Sequence, residues 1–257
     1  MKIKGFTLIE LVIVIVLLSI ISAFTFRFVG IGADMYATGA ARIQLLEQSR
    51  FAVERITREL RNSVPNSARV INSGQCLEFV PIKAAGTYYK APFSPNSSAS
   101  LDFFSFSERW SEISSQKDRL FIYATHASYI YNNQERRARV KNDSPSMGTV
   151  TTLELESDSY FSEKSPGQRL FIGKAPVSFC TEGTQLKRHS DYGWGNDPLE
   201  ASEGVVITDQ LVNMSEPFRV NNAALMRNNV ILIFLEYQSA NTERLFYNRE
   251  VHIPNAP

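Results

Sequence analysis

Apolar and polar positions follow one pattern at the start of this chain, a second just beyond and a third in the rest. Positions 6–26 are almost continuously apolar, with Glu10 as their only ionisable side chain, and Arg27 is the next charge. At a rise of 1.5 Å per residue this run predicts a helix of about 31 Å, against about 30 Å for the hydrocarbon core of a bilayer. Past it the period becomes amphipathic. Leu45, Leu46, Ser49, Ala52, Val53, Ile56, Leu60 and Val64 fall on one arc at helical spacing, with Glu47, Arg50, Glu54, Arg58 and Arg61 opposite. Glu54 and Arg58 have the favourable i,i+4 order. Pro65 disfavours helix at Val64 and predicts the stop there, so a straight helix over 6–64 would measure about 88 Å. Gly30, Gly32 and Gly39 lie between the two parts and each costs up to about 1 kcal/mol relative to Ala, which predicts a soft joint. The apolar stripe reads as a face packed on a sheet. Phe51 stands out on the charged side, either as a contact for a neighbouring chain or as an aromatic shielded by its own domain.

After Pro65 the pattern changes to short strand-like runs between turn clusters. Positions 76–82, 150–155 and 170–172 predict strands, and 120–124 with 128–131 predict a hairpin. Positions 230–237 and 244–253, joined by a polar turn at 239–242, predict the clearest hairpin. Its first arm is unbroken in apolar residues from Val230 to Leu235, which predicts a central strand covered on both faces. Positions 91–100, with Pro92, Pro95, Asn96 and several serines, read as a loop. One long helix followed by strands predicts an α+β fold, the helix packed on an antiparallel sheet. No internal repeat stands out.

The N-terminus adds chemistry to the pattern. Met1-Lys2-Ile3-Lys4-Gly5 is a short basic leader, followed at once by Phe6-Thr7-Leu8-Ile9-Glu10. Lys2 and Lys4 put the N-terminus in the cytoplasm and the bulk of the chain outside. A cleaved secretory signal competes, with small residues across 19–23, although such signals carry a shorter apolar core of about 7–15 residues. A plain single-pass anchor is the third reading. A carboxylate inside a membrane helix costs roughly 2.5–3.5 kcal/mol and marks a specific partner. Leader, glycine, aromatic, acid and membrane-length run together, as G-F-T-L-I-E, resemble the N-terminal motif of type IV pilins and type II secretion pseudopilins.

That resemblance implies a type IV pilin-like fold and a task for each residue. A prepilin peptidase cuts between Gly5 and Phe6 and N-methylates Phe6. The new α-amino group has an ordinary pKa of about 7.7–8.0 and is largely cationic at neutral pH. It can be neutralised by the Glu10 carboxylate of a neighbouring subunit in the apolar layer, where an unpaired charge is heavily penalised. An acid at position 10 also implies another subunit above this one. The implied parts are a leader at 1–5, a transmembrane assembly helix at 6–28, a periplasmic amphipathic helix at 29–64 and a β-rich head at 65–257. The implied partners are prepilin peptidase, other minor pilins and the major pilin, the inner-membrane assembly platform and membrane lipid. The implied location is the bacterial inner membrane with the head in the periplasm, and then the pilus at the cell surface.

The segment Ser49-Arg50-Phe51-Ala52-Val53-Glu54-Arg55-Ile56-Thr57-Arg58-Glu59-Leu60-Arg61 resembles the larger minor pilins of the PilW and GspJ kind. With Pro65-Asn66-Ser67-Ala68-Arg69-Val70 and Cys76-Leu77-Glu78-Phe79-Val80-Pro81 added, the first third is most similar to the MshO minor pilins of mannose-sensitive haemagglutinin (MSHA) pili. The implied role is to help initiate or cap such a filament. A minor pseudopilin, or an adhesin or DNA-binding module displayed at a tip, is the alternative.

Composition changes this picture little. Removing Lys2 and Lys4 from 27 basic residues leaves 25, against 26 acidic ones, so no global charge points to nucleic acid as a partner. About 200 residues beyond the anchor suffice for a domain with its own core. The 17 Phe, 10 Tyr and 2 Trp suit a sheet-rich fold. In a periplasmic domain Cys76 and Cys180 read as a disulfide, the other possibility being two separately buried thiols.

Candidate chemistry is sparse, and no cofactor is expected. His126, His189 and His252 are isolated, and no catalytic or zinc-binding motif appears, so enzyme activity is not expected. His189-Ser190-Asp191 has triad residue types, but a triad needs converging side chains, not adjacency. The run 191–197 (DYGWGND) clusters oxygen ligands with glycines without EF-hand spacing, and reads as an aromatic-pinned surface loop before a calcium site. Arg136, Arg137, Arg139 and Lys141 could touch DNA or an anionic surface, but read first as a solvated strand face.

Overall fold

The computed structural model describes residues 5–106, 117–132, 134–141, 150–212, 215–221, 229–239 and 243–254. In chain order these form α1 (Leu8–Arg61), β1 (Arg69–Ile71), β2 (Cys76–Phe79), β3 (Ile82–Lys90), β4 (Ser98–Ser105) and β5 (Arg119–Phe121). There follow α2 (Ala127–Tyr131), β6 (Arg137–Ala138), β7 (Val150–Ser159), β8 (Arg169–Gly173), β9 (Val177–Glu182) and β10 (Gln185–His189). The chain continues through α3 (Pro198–Ala201), β11 (Val205–Thr208), β12 (Phe218–Asn221), β13 (Asn229–Gln238) and β14 (Arg244–Ile253). The fold is α+β, a long apolar N-terminal helix with antiparallel sheets, as the pattern of elements predicts.

The helix is unbroken. Gly30, Gly32 and Gly39 lie inside α1, and the helix runs through the expected joint without a break. It ends at Arg61, earlier than Val64. Asn62 caps it, and the Val64 N–H donates to Val80 O at 2.8 Å, which draws that residue into the sheet. Leu45, Ser49, Ala52, Val53, Ile56 and Leu60 are buried on the predicted arc, whereas Leu46 is exposed.

Two lobes of sheet follow, and they share one ribbon. β2 pairs with β9 and β3 pairs with β8, both antiparallel. Between the pairs the ribbon bends at Pro81 and Lys174, held by the Lys174 N–H donating to Pro81 O at 2.9 Å. A single strand over 76–82 was expected. Pro81 has no N–H to give the ladder, so the run divides into β2 and β3.

The first lobe holds α1. A five-stranded sheet (β1-β2-β9-β10-β11) and a three-stranded sheet (β12-β13-β14) enclose the buried helix face in a core with Leu77, Phe79, Phe179, Ile231, Ile233 and Tyr237. The hairpin of β13 and β14 keeps register over ten pairs, Asn229↔Ile253 to Gln238↔Arg244. β13 is central, as expected, but it is not covered on both faces. Ile231, Ile233 and Leu235 are fully buried, while Val230, Leu232 and Phe234 are half-buried, because only one side meets the core. The turn expected at 239–242 falls largely outside the described residues.

The second lobe is built within 82–173. Its sheet runs β6-β5-β8-β3-β4-β7, and the ends meet. Val140 bridges Leu155 antiparallel, the Lys141 N–H donates to Glu154 O (2.9 Å), and the Glu156 N–H donates to Arg139 O (3.1 Å). The sheet thus closes into a small barrel filled by Tyr88, Leu101, Phe103, Leu153, Phe161 and Ile172 among others. The hairpin expected from 120–124 and 128–131 does not form. Residues 128–131 lie in the one-turn helix α2, with Ile130 buried, and β5 pairs with β8 and β6. A short apolar run fits either period, and packing decided this one. The loop expected over 91–100 ends early, at the start of β4.

Candidate functional site

The candidate site of assembly is the free end of α1. Gly5 and Phe6 precede the helix, and Phe6 is 76 % exposed. Residues 1–4, the rest of the expected leader, lie outside the described residues. Glu10 sits in the first helical turn, and among the described residues it has no ion pair. From Leu8 onward the helix is long and apolar enough to cross a membrane, and its most apolar window is not covered by the rest of the chain. Two hydroxyls inside the run are satisfied by the helix backbone. Ser19 Oγ donates to Ile15 O and Thr25 Oγ1 to Ile21 O, as a bilayer interior requires. Phe51, beyond the apolar run, is 54 % exposed and is not shielded by its own domain.

In the head, Cys76 and Cys180 form a disulfide between directly paired positions of β2 and β9. Next to it is a buried polar cluster. Glu78 is 1 % exposed, receives Arg69 Nε at Oε2 and accepts the Tyr192 hydroxyl at Oε1 (2.9 Å). Tyr192 Oη also lies 2.7 Å from Ser178 Oγ. Burial and then the Glu78 carboxylate push the Tyr192 phenol well above its ordinary range. The one available hint was an acid inside an apolar strand, Cys76-Leu77-Glu78-Phe79.

Tyr192 also anchors the loop at 191–197. Trp194 Nε1 donates to Lys117 O (2.6 Å), Asn196 Nδ2 donates to Tyr192 O (2.6 Å), and Asp191 pairs with Lys117 (3.1 Å). Asp197 Oδ1 accepts from the Leu199 N–H and from Asn72 Nδ2. The carboxylates of this loop are thus engaged with the protein, in an aromatic-pinned turn.

The His189-Ser190-Asp191 residues do not converge. His189 is buried, with Nε2 2.8 Å from Glu182 Oε1 and Nδ1 3.0 Å from Ser202 O, while Asp191 faces Lys117. Desolvation raises the Glu182 pKa, but hydrogen bonds from Lys187 and His189 outweigh it and hold the carboxyl below its usual range.

The basic run serves the barrel seam, and half of it is not a solvated face. Arg136 is buried, donates to Tyr123 O and pairs with Glu163 (3.0 Å). Arg137 donates to Ile130 O and Tyr131 O. Arg139 and Lys141 lie on the outside and pair across the seam with Glu156 (3.5 Å) and Glu154 (3.0 Å). Arg119 nearby is pushed down to about 10 by burial and then by Arg139 and Arg137, and stays charged at neutral pH.

Comparison with known proteins gives one match. A model of the prokaryotic N-terminal methylation motif matches residues 1–26. No curated protein and no solved structure matches the chain. The motif supports a type IV pilin-like or pseudopilin protein, and it implies processing by prepilin peptidase and partners in a pilus or pseudopilus. The apolar helix that carries it is consistent with membrane anchoring.

Proposed function

We propose that this chain is a minor pilin that helps initiate or cap an MSHA-type type IV pilus. The observation that carries the reading is the methylation motif at 1–26, lying on an apolar helix that nothing in the head covers. Prepilin peptidase cuts between Gly5 and Phe6 and methylates Phe6. The freed amine and Glu10 then serve as complementary charges between successive subunits, each relieving the other's penalty in the apolar layer. The protein is anchored in the inner membrane with residues from 29 onward in the periplasm, and moves to the pilus with its partners, the other minor pilins, the major pilin and the assembly platform. The role is structural. A disulfide in the head suits an oxidising compartment, and the resemblance of the segments 49–61, 65–70 and 76–81 to MshO minor pilins is what suggests the filament type.

Intact mass and N-terminal sequencing of the protein from its native membranes test this. The expected species begins at N-methylated Phe6. A start near Phe24 would mean a secretory signal was removed, and an unprocessed Met1 in a host with active prepilin peptidase would mean a simple anchor. Deleting the gene separates the filament types, since loss of pili is expected, and loss of secretion alone would make the chain a minor pseudopilin.

A further inference from the structure

A cleft of about 710 Å³ opens at the waist between the lobes, where the end of α1 meets the ribbon bends at Pro81 and Lys174. We infer that this cleft binds a small multivalent oxyanion, a ligand carrying two or more phosphate or carboxylate groups.

Charge is the first reason. Five cationic side chains line the cleft against three carboxylates. Each carboxylate is already committed: Glu59 to Arg188 (3.0 Å), Asp191 to Lys117 (3.1 Å), and Asp118 to Lys83 in a pair with little exposure. Arg58 and Lys174 remain, and among the described residues neither has an ion pair. They come from different elements, the last turn of α1 and the bend after β8, so the fold brings to one opening two cations that have no ion pair among the described residues.

Rigidity is the second. The walls are held before any ligand arrives by the buried Lys83–Asp118 pair, the Arg188–Glu59 pair and the backbone bond from Lys174 to Pro81, while the Lys117–Asp191 pair is exposed. At the bend a Cβ on Gly173 would stand 2.4 Å from Val80 Cγ1, so the lobes touch there without slack. A preorganised cation set avoids part of the ordering cost of binding. Guanidinium and ammonium donors favour oxyanions through short charge-assisted hydrogen bonds, and an opening of this volume exceeds the needs of a single carboxylate. Nothing in the inference depends on how the chain is processed or assembled.

The test is calorimetric titration of the full chain in detergent with inorganic pyrophosphate and, separately, with citrate, at one ionic strength set by chloride. Saturable binding of at least one anion is expected, and the tighter of the two assigns phosphate or carboxylate chemistry. The R58Q/K174Q variant should bind at least tenfold more weakly, while R139Q/K141Q, which removes two cations from the barrel seam, should bind like the parent. Both pairs are exposed, so folding should survive; K174Q alone provides a milder variant with the same expected direction. No saturable heat with either anion, or R58Q/K174Q matching the parent, would overturn the assignment.

Discussion

Gly173 lies against Val80 so closely that a Cβ at 173 would stand 2.4 Å from Val80 Cγ1, with Phe121 Cε2 at 3.0 Å and Val64 Cγ2 at 3.1 Å. Here the ribbon passes from one lobe to the other, and three elements meet over a missing side chain. Gly173→Ala should therefore cost about 1–3 kcal/mol, the usual penalty of overpacking. Gly39→Ala should have the opposite sign. It is helical with nothing within 4 Å, and Ala gains up to about 1 kcal/mol over Gly in a helix. Urea denaturation of the full chain in detergent reads both; equal midpoints for the two variants would contradict the packing at the bend.

Alkaline pH should weaken the fold. Tyr131, Tyr192 and Tyr237 are all raised, first by burial, and for Tyr131 and Tyr192 next by Glu78. Below a pH of about 10 both folded and unfolded chains keep these protons; above it the unfolded phenols release them and the folded ones do not. Stability should hold from pH 8 to about 9.5 and fall beyond, with a shallower fall in Tyr192→Phe. A urea midpoint unchanged to pH 11 would refute this. Tyr192→Phe should also cost about 1–3 kcal/mol at neutral pH, because buried Glu78 Oε1 loses a donor.

The disulfide closes a separation of 104 residues and both cysteines are fully buried. Replacing both by Ala should cost about 2–5 kcal/mol. Reduction by dithiothreitol, followed by mass after alkylation, should be slow in native buffer and rapid in urea, since the thiolate must reach buried sulfur. Equal rates would show that the bridge is reached without opening.

Glu10→Gln should be cut and methylated normally yet enter filaments poorly, because the amide cannot neutralise a neighbouring amine. Mass spectrometry reads the first step and cross-linking into sheared filaments the second. Normal incorporation would count heavily against the pairing.

Phe51→Ala should change the stability of the isolated chain by no more than about 0.5 kcal/mol, as an exposed site does. Cross-linking to neighbouring subunits should fall if the ring is an assembly contact. A large stability loss without a change in cross-linking would assign it to its own domain.

The sequence by itself determined the elements whose signal is local. The run 6–26, with Glu10 as its only ionisable side chain, predicted a helix of membrane length, the arc from Leu45 to Leu60 fixed the face that α1 buries, and the β13–β14 hairpin followed from two strand-like runs around a short turn. Tertiary structure alone decided the rest. Ile130 went into a helical turn because it fills the waist beside Val64 and Phe121. Val140 met Leu155 to close the barrel, and Glu78 found Tyr192 at a distance of 114 residues. Such pairings depend on register and on complementary packing between distant segments, and neither period nor composition along one segment carries that information.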